Sequence, residues 1–171
     1  GSNMPRLKRF LSEVKQGVVP QTLWNYDEVG HTQEAKKELL ATVQFESTED
    51  VLDTVKPTRL IDRILDITTD SNGRDIVLDY FAGSGSTGHA VIDKNREDEG
   101  DRRYILVEMG GYFDSILMPR LKRATFTDDW DDCTPQGKNG TSHVFKYHRL
   151  ESYEDTLNNL HVEEPEGPQK K

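Results

Sequence analysis

Cysteine is nearly missing from this sequence: Cys133 stands alone, which excludes an internal disulfide and a cysteine-built metal cluster. A reducing, cytoplasmic setting is therefore the default expectation. No run approaches the about 18 consecutive apolar residues of a membrane-crossing helix, and no leader pattern opens the chain, so no membrane partner is expected. Positive charge is in short supply as well. With 22 Lys and Arg against 31 Asp and Glu, the formal net charge is -9. That balance argues against a surface that clamps nucleic acid all round, because backbone binding is largely a matter of cations meeting phosphates. It leaves open DNA as the substrate of a larger protein. A hydrophobic fraction of 33% over 171 residues suffices for one core and not for two.

Gly1, Ser2 and Asn3 read as an expression scar. Leu7, Phe10, Leu11 and Val14 recur at helical spacing on a basic segment that Gly17 would end. Residues 18–30 read as irregular, with Trp24 and Tyr26 as a packed aromatic anchor. Thr32 is placed to cap a helix running to about Thr42, with Glu34 near its positive end. Residues 44–55 read as a loop. Pro57 suits a first helical turn, and Leu60, Ile61, Ile64 and Leu65 share one face of the helix that follows, which predicts a packed helix. Beyond Asn72-Gly73 come a strand over 75–79, a glycine turn, a helix over about 86–94, the solvated charge run NREDEGDRR and a second strand over 104–108. A helix over about 112–123, a long acidic loop over 127–142, a third strand in HVFKYHRL and a final helix covering the sheet complete the expected order. Strands and helices alternating at this length predict an α/β fold with a parallel sheet.

The stretch IVLDYFAGSGSTGHAV, Ile76 to Val91, carries the chemistry. Gly83, Gly85 and Gly88 fit the nucleotide fingerprint G-x-G-x-x-G between a strand and a helix. A phosphate loop would need lysine and then Ser or Thr after the last glycine, and His89-Ala90 stand there instead. Glu108, 20 residues beyond Gly88 at the end of the next strand, suits ribose hydroxyls. That fits NAD and S-adenosylmethionine equally. Asp79 discriminates better: a carboxylate is an awkward neighbour for a pyrophosphate and a good one for a cationic ligand. The helix start at Gly85 to Thr87 is suited to a carboxylate. On the structural alternative, Asp79 merely caps its turn and Glu108 merely ends a strand. His89 reads as structural, since no triad partner accompanies it. His143 and His148 are poorly spaced for one metal, and the basic face of the first segment is as well suited to solvent as to DNA phosphates.

These residues resemble the β-class amino methyltransferases, and more closely the modification (Mod) subunits of type III restriction-modification systems. Asp79-Tyr80-Phe81-Ala82-Gly83-Ser84-Gly85-Ser86-Thr87 is similar to their motif I, D-x-F-x-G-S-G-T-T, with Ser86 for the commoner threonine. Lys56-Pro57-Thr58-Arg59-Leu60-Ile61 is similar to motif X, although Val55 departs from the frequent T-P-K-P. Tyr104 to Glu108 is similar to motif II. The stretches Arg9 to Trp24, Val29 to Leu39 and Phe145 to Leu160 resemble the type III subunits specifically. The resemblance implies a partial Rossmann-like S-adenosylmethionine-dependent methyltransferase fold, a mostly parallel sheet flanked by helices. It implies a cofactor site made by Lys56, Pro57, Asp79, Phe81, Ala82, Gly83, Ser84, Gly85, Thr87 and Glu108.

The family's base-holding motif, D-P-P-Y, is missing. The seven prolines include no adjacent pair, so no catalytic residue is assigned. The expected organisation is therefore a scar over 1–3, a helical and irregular segment over 4–50, the cofactor-binding half of a methyltransferase domain over 51–160 and a flexible tail over 161–171. On this reading the chain is a C-terminal segment of a longer adenine-N6 DNA methyltransferase and inactive alone. The whole protein would have double-stranded DNA, a Res restriction subunit and a second Mod subunit as partners. Two alternatives stand beside it: a Mod-pairing or Res-assembly module without its own cofactor binding, and an NAD-binding oxidoreductase fragment. Part of a larger domain should also bare a hydrophobic sheet edge or face.

Overall fold

The computed structural model describes residues 17, 19–45 and 52–160. The predicted helix over 5–17, apart from Gly17, and the predicted tail over 161–171 lie outside these residues. Four short helices and strands lead to the glycine turn: α1 (Tyr26–Val29), α2 (Thr32–Thr42), α3 (Thr58–Thr68) and β1 (Ile76–Asp79). After it come α4 (Ser86–Asp98), β2 (Arg103–Leu106), a π-helical turn over Phe113–Leu117 that runs into α5 (Met118–Phe126), the two-residue strands β3 (Trp130–Asp131) and β4 (Thr134–Pro135), and α6 (Tyr153–Asn158). No helix among the described residues is long and apolar enough to cross a membrane.

β1 and β2 pair in parallel, with Ile76 opposite Arg103 and Asp79 opposite Leu106. The ladder continues past both strands: Val107 N–H donates to the Asp79 carbonyl at 2.9 Å, and Ala82 N–H donates to the Val107 carbonyl at 3.1 Å. The crossover α4 packs on one face of this pair. Leu65 of α3, with Ala90 and Val91 of α4, meets Val77 and Tyr104 there. Ile92, Leu117, Leu121 and Ala124 form a second cluster against Leu106, and Ala35, Leu39, Val43, Val55 and Ile116 join α2 to the π-helical turn. This is an α/β fold in which helices pack on a small parallel sheet, as in part of a Rossmann-like domain.

Among the described residues nothing packs over the other face of the sheet. Ile76, Leu78, Ile105 and Val107 point to it and are between 39% and 56% exposed, whereas the strands of a parallel sheet are ordinarily covered on both sides. The same opening explains why α3 is less packed than its pattern predicts. Leu65 is buried, but Ile64 and Ile67 are about two-fifths exposed. Beside them an open groove of about 410 Å³ runs between α3 and β1.

Several expectations are corrected. His31, not Thr32, caps α2, its Nδ1 accepting from Glu34 N–H at 3.1 Å. α4 runs into the supposedly solvated charge run and ends at Glu99 in the left-handed region, φ 55°. Within that run Arg102 is buried and binds Asp98 Oδ1 and Oδ2 at 2.9 and 2.8 Å, together with Thr69 Oγ1 at 2.6 Å. Residues 143–150 form no strand. Their alternation is real but serves side-chain contacts: His143 stacks on Tyr104, Phe145 packs beside His143, and Tyr147 meets Phe113, with no backbone ladder to hold them. α6, capped by Ser152 through Asp155 N–H at 3.1 Å, buries no residue and so covers no sheet. The aromatic anchor is half right: Trp24 is half-buried and Tyr26 is 64% exposed.

Candidate functional site

At the carboxyl end of β1 the chain must reverse within a few residues and enter α4. Two glycines make this possible. Gly83 and Gly85 have φ of 55° and 80°, a region that side-chain-bearing residues enter only at a cost. Their surroundings differ. A Cβ on Gly85 would stand 3.2 Å from Leu117 Cγ, whereas one on Gly83 would meet nothing nearer than the Phe81 carbonyl at 3.8 Å. Gly85 faces the core and Gly83 faces open space. Gly88 serves packing, because a Cβ there would lie 2.7 Å from Leu121 Cδ2 and 2.9 Å from Leu106 Cδ1. Its absence lets α4 approach the sheet.

Two carboxylates hold the turn. Asp79 Oδ1 accepts from Phe81 N–H at 3.0 Å and Oδ2 from the Thr87 hydroxyl at 2.6 Å, so the capping role is present. Glu108 reaches across from the end of β2. Its Oε2 accepts from Gly83 N–H at 2.8 Å, and its Oε1 from Met109 and Gly110 N–H at 2.9 and 2.8 Å. Burial pushes the Glu108 carboxyl up, but the Gly110 and Gly83 amides, the Tyr112 hydroxyl and the Met109 amide outweigh it and hold the group below the usual carboxylate range. The Tyr112 hydroxyl is raised in turn, by burial first and then by Glu108.

Asp79, Phe81, Ala82, Gly83, Ser84, Gly85, Thr87 and Glu108 therefore meet at one turn. Phe81 is 86% exposed beside Gly83, while Ala82, Ser84 and Thr87 are buried. Lys56 joins through its backbone, since its carbonyl accepts from the Ser86 hydroxyl at 2.8 Å. Pro57 is buried and caps α3. The open groove beside β1 touches Asp79 and Thr87 and does not extend to Gly83 or Glu108.

Beneath the turn lies a buried cation that no local sequence pattern marks. The Arg120 side chain on α5 is fully buried. Its Nη1 donates to Ser84 Oγ at 3.0 Å and Ser86 Oγ at 2.9 Å, its Nε to His89 Nδ1 at 3.0 Å, and its Nη2 to Glu38 Oε1 at 2.7 Å. Burial draws the guanidinium's pKa down, and the Glu38 carboxylate opposes that. Glu38 Oε2 also accepts from the Thr58 hydroxyl at 2.8 Å, tying α2 to the start of α3. Because Arg120 fills the Nδ1 lone pair, the His89 proton sits on Nε2, 3.2 Å from Asp93 Oδ2. His89 is structural, as its sequence context predicts. The GHTQEAKKEL and MPRLKR stretches held the signal for Glu38 and Arg120, but they are 82 residues apart.

The parallel pair, the crossover helix and the left-handed glycines between them define part of a Rossmann-like methyltransferase fold. The chain belongs to the DNA methylase family of N6 and N4 amino methyltransferases, whose model matches residues 3–117. That family uses S-adenosylmethionine. The chain is 45% identical over 87 residues to the type III restriction-modification enzyme StyLTI Mod subunit of Salmonella typhimurium, covering 50% of this chain and 12% of that protein. It is 40% identical over 68 residues to the probable HindVI Mod subunit of Haemophilus influenzae, covering 40% and 8% respectively. It is also 36% identical over 102 residues to the type II methyltransferase M.KpnI of Klebsiella pneumoniae, covering 60% and 22%. The matched stretches thus span between 8% and 22% of these relatives' lengths.

Proposed function

We propose that this chain is the S-adenosylmethionine-binding segment of a site-specific adenine-N6 DNA methyltransferase of a type III restriction-modification system. The observation that carries the reading is Gly83. It is held left-handed between two carboxylates, with open space where its side chain would be, in a chain of the DNA methylase family. A backbone surface of this kind lets a ligand approach more closely than any side chain would allow.

In this reading Asp79 would hold the ligand's ammonium group, and the amides at the start of α4 would hold its carboxylate. Glu108, anionic and fixed by three amides, would accept from a ribose hydroxyl in place of the Tyr112 hydroxyl that shares it. Phe81 and Ala82, with the Lys56-Pro57 segment that Ser86 ties to the turn, would complete the set of residues that hold the ligand. Bound S-adenosylmethionine supplies an electrophilic methyl group on a sulfonium. The residues present bind and orient; none of them holds the target amine, because the D-P-P-Y motif is not in this sequence. Cofactor binding without turnover is therefore expected of this chain by itself.

For the whole protein the proposed partners are double-stranded DNA, a Res subunit and a second Mod subunit, in the cytoplasm. Family membership favours this reading over an NAD-binding oxidoreductase. Calorimetric titration of the 171-residue chain with S-adenosylmethionine and with NADH tests it. Selective binding of the former, weakened at least tenfold by Asp79→Ala and by Glu108→Ala, is expected. Binding of NADH instead would overturn the assignment, and binding of neither would leave the assembly-module alternative as the better account.

A further inference from the structure

We propose that Arg120 is the positioning residue of the glycine turn: its sealed guanidinium grips the hydroxyls on either side of Gly85 and so presets the conformation in which the turn meets its ligand. The geometry stands independently, and the consequence for affinity rests on the cofactor reading above.

Gly85 sits at φ 80° between Ser84 and Ser86, and glycine is the residue with the most backbone freedom to lose. Something must hold it there. Both flanking hydroxyls are buried and accept from the same nitrogen of Arg120, at 3.0 and 2.9 Å. A rigid planar fork can hold two points in a fixed relation while its other nitrogens are anchored on His89 and Glu38. An ammonium on a flexible stem cannot.

Stability alone does not account for this arrangement. Desolvating a guanidinium and a carboxylate is expensive, and apolar residues of similar volume commonly serve a core as well or better. What the apolar pair would lack is a grip on Ser84 and Ser86. A turn fixed before binding loses less entropy when the ligand arrives. Glu38 keeps the fork in register, and through Thr58 at 2.8 Å it fixes the fork relative to the Lys56-Pro57 segment.

The test compares three variants of the 171-residue chain: Arg120→Met with Glu38→Leu, Ser84→Ala with Ser86→Ala, and the serine pair combined with Arg120→Lys. Thermal midpoint, ligand-free amide exchange at Gly83, Gly85 and His89, and S-adenosylmethionine affinity are measured for each. The apolar pair leaves the buried Ser84 and Ser86 hydroxyls and His89 Nδ1 without their donor, so its midpoint is expected to fall, while the turn amides exchange at least tenfold faster relative to core amides and affinity falls at least tenfold. The serine pair should reproduce both losses, and adding Arg120→Lys to it should cost no further affinity, because the interaction is already gone. Wild-type exchange and affinity in the apolar pair, or in the serine pair, would overturn the proposal. Should the apolar pair fail to fold, the serine pair decides. If the wild type binds no S-adenosylmethionine but its turn amides respond as expected, the cofactor reading fails and the positioning role stands.

Discussion

Gly83 and Gly88 lie five residues apart in one motif, yet the structure predicts that replacing them with alanine will affect ligand binding differently at similar cost in stability. At Gly83, φ 55° puts alanine in the left-handed region, at a cost of about 1–2 kcal/mol. No clash adds to it, since the new Cβ would approach nothing within 3.8 Å. At Gly88 the new methyl would stand 2.7 and 2.9 Å from Leu121 and Leu106. Overpacking of that sort costs about 1–3 kcal/mol. The better helix propensity of alanine returns about 1 kcal/mol of it, leaving about 0–2 kcal/mol. Urea unfolding should thus rank the two variants as similarly destabilised. Ligand binding should separate them, because the Gly83→Ala methyl projects into the open space beside Phe81 and Glu108 while the Gly88→Ala methyl is spent inside the fold. By calorimetry Gly83→Ala is expected to weaken S-adenosylmethionine at least tenfold, and Gly88→Ala less than threefold. Undiminished binding by Gly83→Ala, with its stability loss as expected, would refute the idea that this face of the turn meets the ligand.

Acid should unfold the chain in a definable window. The Arg102 hydrogen bond holds the Asp98 carboxyl below its ordinary value. Asp93 is lowered too: burial pushes it up, and the hydrogen bond from His89 with the charge and hydrogen bond of Arg96 outweigh this. Depressed carboxylates contribute stability that is complete above their unfolded pKa of about 4 and is lost as pH falls through the folded value. Stability should therefore be flat above about pH 5 and decline below about pH 4, with a shallower decline in Asp98→Asn. An unchanged slope in urea midpoints would count against the pairing. Leu78→Lys with Ile105→Lys, half-buried register partners on this sheet face, should lower stability by about 1–2 kcal/mol through lost burial and like charges set opposite each other, and by less at high salt. The pair should also markedly lower binding of a hydrophobic dye, and undiminished dye fluorescence would show that the exposed apolar surface lies elsewhere.

Local signals carried the legible part of this protein. β1, the glycine turn, α4 and β2 follow one another within 31 residues, from Ile76 to Leu106, where hydrophobic period and turn chemistry act over neighbouring positions. Asp79 and Glu108 were legible because strand ends in such a unit converge. Residues 143–150 misled because alternation reports a one-sided surface and not a ladder partner: Val144 is 93% exposed, and Phe145 finds its place on side chains. Arg120 was hidden among the basic residues of α5 because no local period distinguishes a cation that enters the core from one that leaves it. Its partner Glu38 lies on another helix, and only the fold brings the two together. The π-helical turn before α5 had no local signal either.

Ser86 has a single hydroxyl proton, and the Lys56 carbonyl takes it. Its lone pairs then serve as acceptors for Arg120 and for Ser84, 3.3 Å away. Ser84, which also accepts from Arg120, is thereby obliged to be the donor between the two serines. The chain of bonds from Arg120 through Ser84 and Ser86 to the Lys56 carbonyl has one sense only, like a row of arrows. No single hydroxyl in it can rotate without orphaning its neighbour, so the row reorients together or not at all, and the segment around Lys56 registers any disturbance at the buried guanidinium.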